Sequence, residues 1–119
     1  MKLAITTQGP DANSPVDLRF GRARHFRIVD TGTGQQTTVD NGASVNAVQG
    51  AGTQAGQTLA RLGVQAVLTG HVGPKAMNVL QAANIQAFMV NGGTVEQAVQ
   101  DFMANRLRLQ NGADTQGQR

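Results

Sequence analysis

The sequence predicts an α/β sandwich built on a mixed sheet, and three observations lead to that prediction. A hairpin pattern lies in the first half, helix and strand patterns alternate after residue 50, and the later strands are short, continuous and apolar. Short apolar strands are typical of sheets that helices cover on both faces. Because crossovers between successive strands are right-handed, we expect the strands that follow the helices to be parallel to one another.

The first half of the chain contains three strand patterns separated by loop signals. Residues 2–7 are predicted to form a strand, and Gly-Pro and Ser-Pro pairs mark the loop from 8 to 16. Residues 25–30 alternate in polarity, a short turn follows, and residues 35–41 complete a hairpin. We predict a loop over residues 42–50.

The second half is predicted to contain three helices and two buried strands. Ala51, Ala55, Leu59 and Leu62 recur at helical spacing, and Gly63 is placed to end that helix. We predict two strands, at 65–69 and 85–90, and between them a helix that begins at Gly73 and Pro74 and ends at Asn84. The last helix starts with a capping-box pattern at Thr94. Its predicted buried residues are Val95, Ala98, Val99, Phe102 and Met103.

The composition limits both the size of the protein and its chemistry. The 119 residues fit one domain, placed at 1–108, and the polar residues 109–119 are predicted to be a disordered tail. The chain has no cysteine, which excludes disulfides, thiolate-ligated metal clusters and a thiol nucleophile. No apolar run has the length of a signal peptide or a membrane span, so we expect a cytoplasmic protein without membrane association.

The sequence lacks the usual catalytic patterns, so we do not expect an enzyme. Its seven acidic residues are spread along the chain, and none lies in the first strand or at the end of the fourth. Catalytic carboxylates of α/β proteins project from such strand ends. The two serines, Ser14 and Ser44, lack the surroundings of a nucleophile elbow.

Two predicted helix starts have the features of an anion site. Gly50, Gly52 and Thr53 lie where free backbone N–H groups and the positive end of the helix dipole favour negative charge. At the second start, His71 and Lys75 place an imidazole and an ammonium group beside the end of a buried strand. Ligands of open α/β sheets bind in the crevice at that end of the strands.

Four arginines between residues 19 and 27, among them Arg22 and Arg24, form a second candidate surface. The formal net charge is only +3, so the local concentration matters more than the total. The surface could bind a cofactor, a protein or RNA, or be a solvated loop. RNA binding is the weakest of these readings because only Phe20 and Phe26 are near enough to stack on bases, and the polarity pattern turns Phe26 inward.

Two motifs carry a resemblance to a known family. Arg-Phe-Gly-Arg at 19–22 and Thr-Gly-His-Val-Gly-Pro at 69–74 are similar to motifs of the dinitrogenase iron–molybdenum cofactor biosynthesis family. That family contains the NifX- and NafY-type carriers and the C-terminal domain of NifB. The resemblance also includes the segments 50–55 and 92–98, and it covers about residues 1–108.

The resemblance implies a ribonuclease-H-like sandwich, with three helices and a five-stranded mixed sheet of order 3-2-1-4-5 whose strand 2 is antiparallel. It also implies binding, carriage or assembly of an anionic molybdenum-containing sulfide cluster. Within the family, a cysteine-free chain of this length is most similar to proteins of sulfate-reducing bacteria that hold a molybdenum–copper sulfide cluster noncovalently. A related molybdenum–iron–sulfur precursor is the alternative cargo. Ribonuclease activity is not implied, since the carboxylate cluster it needs is missing here.

Such a cluster brings its own sulfide ligands, so the protein must supply N–H donors, cationic groups and a pocket that excludes water. We therefore expect the binding residues to meet at one end of the sheet, with His71 as a candidate direct metal ligand. The alternative function is a protein–protein adaptor in a cytoplasmic complex, and we expect a monomer that does not bind nucleic acid. The predicted binding residues are Phe20, Arg22, Arg24, Gly50, Gly52, Thr53, His71 and Lys75.

Overall fold

The computed structural model describes residues 1–42 and 50–110 and confirms an α/β fold around a mixed sheet. The helices are α1 (Ala51–Arg61), α2 (Pro74–Ala82) and α3 (Val95–Met103), and a short 3-10 helix spans Phe20–Arg22. Most of the predicted loop at 42–50 lies outside the described residues. The strands are β1 (Lys2–Thr7), β2 (His25–Asp30), β3 (Gln36–Asp40), β4 (Ala66–Thr69), β5 (Gln86–Met89) and β6 (Arg108–Gln110).

The sheet has the order β3-β2-β1-β4-β5-β6. β1, β4 and β5 are parallel, whereas β2 is antiparallel to both of its neighbours. The predicted order of the first five strands and the antiparallel second strand are therefore confirmed.

The prediction of five strands is wrong, because β6 adds a sixth, antiparallel to β5. Leu109 and Gln110, which the sequence assigned to a disordered tail, belong to this strand and pair with Phe88 and Ala87. Three residues are too few to show a polarity period, which is why the strand was missed. The rest of the predicted tail, 111–119, lies outside the described residues.

Helices cover the sheet on both faces, as the apolar strands predicted. Alternation along β1 sends Ala4 to the face packed by α1 and α2, and Leu3 and Ile5 to the face packed by α3. Among the residues that the structure describes, no helix is long and apolar enough to cross a membrane. The first core includes Phe26, Leu59, Val67, Met77 and Leu80, and the second includes Val29, Leu68, Val90, Val95 and Ala98.

The predicted helix ends are confirmed. Gly63 and Asn84 follow α1 and α2 with φ angles of 73° and 60°, the left-handed conformation that ends helices. Thr94 and Gln97 form a complete capping box at the start of α3. Met103 is an error in the predicted core, since 60% of it is exposed. It is the last residue of α3 and lies about 100° around the helix from Phe102, outside the buried stripe.

Candidate functional site

An open cleft of about 470 Å³ lies beyond the carboxyl end of β4, between the first turns of α1 and α2. The 3-10 helix supplies a third wall. This is the end of a parallel sheet at which α/β proteins bind ligands. Six of the eight predicted binding residues line the cleft: Phe20, Gly50, Gly52, Thr53, His71 and Lys75.

The other two predicted residues, Arg22 and Arg24, are exposed and are not among the described residues that line the cleft, so their part in the site stays a prediction. Phe20 takes the inner side of the 3-10 helix and is buried against the core. Arg22, two residues further on, lies on another side of that helix, which has three residues per turn. Ala23 is fully buried with extended backbone, which turns Arg24 to the surface.

Glycines allow the walls of the cleft to meet backbone against backbone. A Cβ atom on Gly21 would lie 2.5 Å from the backbone nitrogen of Gly52 and 2.7 Å from the carbonyl carbon of Ala51. A Cβ atom on Gly70 would overlap the carbonyl oxygen of Leu18. The 3-10 helix therefore packs directly on the first turn of α1, and the loop after β4 packs directly on the segment that precedes the 3-10 helix.

A buried polar network fixes that preceding segment. The Thr6 hydroxyl donates to the Asp17 carbonyl at 2.7 Å and lies 2.6 Å from the Thr69 hydroxyl, which joins β1 and β4 to the loop. The Asp17 carboxylate accepts hydrogen bonds from the backbone N–H and the guanidinium of Arg19 at 2.9–3.1 Å. These hydrogen bonds and the Asp17 charge raise the pKa of Arg19. The Arg19 guanidinium thus binds the loop through Asp17, although the sequence placed Arg19 among the arginines of a candidate binding surface.

Two helix N-termini face the cleft. α1 and α2 have the glycine N-caps Gly50 and Gly73, and within the described residues neither helix receives a side-chain hydrogen bond at its cap. Neither first turn contains an acidic residue. First-turn N–H groups have no acceptor within their own helix, and the helix dipole is positive there. The backbone alone therefore makes the cleft attractive to an anion.

His71 and Lys75 add side chains to this backbone site. Both are exposed and line the cleft, His71 in the loop after β4 and Lys75 in the first turn of α2. In the part of the chain that the structure describes, no three His, Cys, Asp or Glu residues are grouped to hold a metal ion. One imidazole and one ammonium group suit an anionic ligand that arrives with its metals already coordinated.

Gln110 contributes to the site through hydrogen bonds that the sequence did not reveal. Its side-chain Nε2 donates to the Gly70 carbonyl at 2.8 Å, and its Oε1 accepts from the Val72 N–H at 3.3 Å. Gln110 is 5% exposed. No sequence signal pointed to this role, because Gln110 lies in a polar C-terminal segment whose strand is too short to be recognised.

The fold and the cleft define a small α/β domain with a positively polarised site at the end of its parallel strands. The chain belongs to the dinitrogenase iron–molybdenum cofactor family, whose model matches residues 1–105. The resemblance identified from the motifs is therefore confirmed.

Three relatives are similar over almost the whole chain. The apo form of the orange protein from Desulfovibrio gigas is 45% identical, with a TM-score of 0.89 over 92% of each chain. A Thermotoga protein described as a candidate NifB protein of the DUF35 family is 34% identical, with a TM-score of 0.81 over 91% of each chain. An uncharacterized protein of Methanocaldococcus jannaschii is 28% identical over 110 residues, 90% of this chain and 89% of that one. The family and the orange-protein relative point to binding related to a metal cluster.

Proposed function

We propose that the protein binds an anionic molybdenum-containing sulfide cluster noncovalently in the cleft between α1 and α2, for carriage or assembly. A molybdenum–copper sulfide cluster is the first candidate, and a molybdenum–iron–sulfur precursor is the second. Family membership and the similarity to the orange protein support a molybdenum-containing cluster. The finer choice of copper rests on the resemblance of a cysteine-free chain of this length to family proteins of sulfate-reducing bacteria that hold a molybdenum–copper sulfide cluster.

One observation carries the proposal. Two helix starts that have no side-chain cap among the described residues border one cleft, together with an imidazole and an ammonium group, in a chain with no cysteine. A protein that held bare metal ions would need several ligating side chains in one place. A cluster with its own sulfides needs hydrogen-bond donors, positive charge and shielding from water. The cleft supplies the donors and the charge, and Phe20 adds an apolar wall.

The residues of the cleft have different roles in this proposal. The N–H groups at the start of α1, including those of Gly52 and Thr53, donate hydrogen bonds to sulfide. The Lys75 ammonium group neutralises charge, and the Phe20 ring forms part of the apolar wall. The His71 imidazole either donates a hydrogen bond or ligates a metal directly.

The arginine surface supports the competing functions less well. Arg19 is paired with Asp17, and Arg27 donates hydrogen bonds to Thr38, Gln36 and the Pro10 carbonyl. The aromatic side chains offer no stacking platform for RNA: Phe20 and Phe26 are buried, and Phe88 and Phe102 pack edge to face with ring centroids 5.1 Å apart. Arg22 and Arg24, outside the cleft, contribute long-range attraction for an anionic cluster in this proposal.

The remaining expectations stay predictions. They are a ribonuclease-H-like relationship for the first five strands, binding rather than catalysis, a monomer, a cytoplasmic location, and protein partners in a cytoplasmic complex.

The proposal is tested by mixing the apo-protein with tetrathiomolybdate and a copper salt. We expect a coloured species that elutes with the protein on gel filtration, and titration of its visible absorbance gives an apparent Kd. Because the chain has no Trp and no Tyr, it absorbs little near 280 nm, so ligand bands there are also easy to follow. Colour that elutes only with the small molecules would refute the proposal.

Variants of the cleft test the assigned residues. Lys75→Ala and His71→Ala should each weaken the apparent Kd about 5- to 30-fold, because each removes a charged or hydrogen-bonding contact worth about 1–2 kcal/mol. Both side chains are exposed, so the melting temperature should change little. Arg61→Ala is the matched control: it removes one positive charge at the far end of α1, where the only described partner of the guanidinium is Thr58. Equal losses in Lys75→Ala and Arg61→Ala would show that only net charge matters and would place the cluster elsewhere.

A further inference from the structure

We propose that Gln110 is a positioning residue for His71, and that it links the C-terminal strand to the cleft. The inference rests on the proposed function and deepens it. It assigns to β6, the strand that the sequence did not predict, the task of holding the loop that presents the imidazole.

The carboxamide of Gln110 brackets His71 along the backbone. It accepts a hydrogen bond from the N–H of Val72 and donates one to the carbonyl of Gly70, the residues on either side of His71. A neutral carboxamide donates through its nitrogen and accepts through its separate oxygen, so it can bond two backbone groups at once. Both ends of the group are satisfied, so the loop cannot rotate around His71 without breaking a buried hydrogen bond.

The surroundings of Gln110 keep the carboxamide in this position. The residue is buried, and its partner across the sheet, Ala87, is small enough to leave room for a long side chain on that face. Val72 is also buried, so water cannot easily replace the carboxamide. His71 is exposed to the cleft. The backbone on both sides of His71 is fixed while its imidazole is exposed to the cleft, which is the combination that a preorganised binding residue needs.

The first step of the proposal can be tested on the apo-protein by amide hydrogen exchange. We expect the Val72 N–H to be protected in the unmodified chain and to exchange at least about tenfold faster in Gln110→Met, which keeps the length of the side chain and removes both hydrogen bonds. Gln65→Met is the matched control: it removes a glutamine bond to a backbone N–H, that of Lys2, beside the start of β4 and away from the cleft. A Val72 amide that exchanges freely in the unmodified chain, or equally slowly in Gln110→Met, would overturn the inference.

The second step is tested with tetrathiomolybdate and copper in a double-mutant cycle. Gln110→Met should weaken the apparent Kd about tenfold in the unmodified background, the loss typical of groups that orient a ligating side chain. In the His71→Ala background, where the imidazole to be positioned is gone, it should weaken Kd less than twofold. Gln65→Met should leave Kd unchanged in both backgrounds.

The outcomes separate the inference from the function on which it rests. If the unmodified chain binds the cluster and Gln110→Met binds it equally well, the inference fails and the proposed function stands. If the effects of Gln110→Met and His71→Ala on the apparent Kd multiply, Gln110 acts independently of His71, and the inference again fails. If the unmodified chain binds no cluster, the proposed function itself is refuted and the inference with it.

Discussion

The contact between the 3-10 helix and α1 predicts a large effect for Gly21→Ala. The new methyl carbon would lie 2.5, 2.7 and 2.8 Å from three backbone atoms of Ala51 and Gly52. Ordinary van der Waals contact begins at 3.4 Å, so the shortest of these distances must grow by about 0.9 Å. No flexible side chain can yield here, and the whole first turn of α1 or the 3-10 helix must move.

The size of the effect follows from the cost of overpacking, about 1–3 kcal/mol for such an insertion. A chain of 119 residues has an unfolding entropy of about 0.25 kcal/mol/K at the melting temperature. The expected fall in melting temperature is therefore about 4–12 °C. The backbone amide resonances of residues 51–53 should shift most, because these residues contact the new methyl group or adjoin it. Cluster binding should also weaken, since the same turn of α1 lines the cleft.

Thermal unfolding followed by circular dichroism, together with amide NMR spectra, measures this prediction. Gly73→Ala is the matched control, because it adds the same methyl group at the same cleft. Its Cβ atom would meet nothing within 4 Å, and the φ angle of Gly73 is −69°, which alanine readily adopts. Its cost is limited to the N-cap preference for glycine over alanine, below about 1 kcal/mol. A Gly21→Ala protein as stable as the unmodified chain, with unmoved resonances at 51–53, would show that the packing argument is wrong.

Two further predictions concern regions away from the cleft. Thr94→Ala removes the hydrogen bond that the Gln97 N–H donates to the Thr94 hydroxyl. It should lower the free energy of unfolding by about 1 kcal/mol and the melting temperature by about 4 °C, with cluster binding unchanged. A loss of cluster binding would mean that the α3 face takes part in binding. The pKa of Asp30 is lowered mainly by the hydrogen bond that the Gly32 N–H donates to its carboxylate at 2.8 Å. A lowered folded-state pKa stabilises the protein above the ordinary carboxyl pKa of about 3.9, and this contribution is lost as the pH falls through the folded-state pKa. Melting temperatures of the unmodified chain and Asp30→Asn, measured from pH 6 to pH 2, should therefore converge as the pH falls, and a gap that widens in acid would contradict the assignment.

Strong local signals made most of the fold predictable from the sequence. The capping box at Thr94, the left-handed helix ends at Gly63 and Asn84, and the polarity alternation of β2 each depend on neighbouring residues only. β6 could not be predicted in the same way. It is three residues long, and it is stabilised by pairing with β5, about twenty positions earlier in the chain.

The candidate site was predictable where it depends on strand and helix ends. Gly52, His71 and Lys75 border one cleft because the crossovers return both helix starts to the same end of the sheet. The positions of Arg22 and Arg24 relative to the cleft could not be derived from their charge, because charge says nothing about the side of a 3-10 helix on which a residue lies. Their positions follow from the burial of Phe20 and Ala23, which is a consequence of tertiary packing.

The three described α-helices differ at their starts in a way that local stability alone does not explain. α3, away from the cleft, has a full capping box, whereas α1 and α2 begin with the glycines Gly50 and Gly73. A serine or aspartate at Gly73 would stabilise α2 by about a few tenths of a kcal/mol, because its side-chain oxygen would accept a hydrogen bond from a first-turn N–H group. That oxygen would also occupy the donor that the proposed cluster needs, and an aspartate would add negative charge to the cleft. The glycine cap of α2 thus gives up a little local stability and keeps the N–H groups available, which is what a site that binds an anion through the backbone requires. Gly50 is favoured in addition by its own left-handed φ angle of 76°.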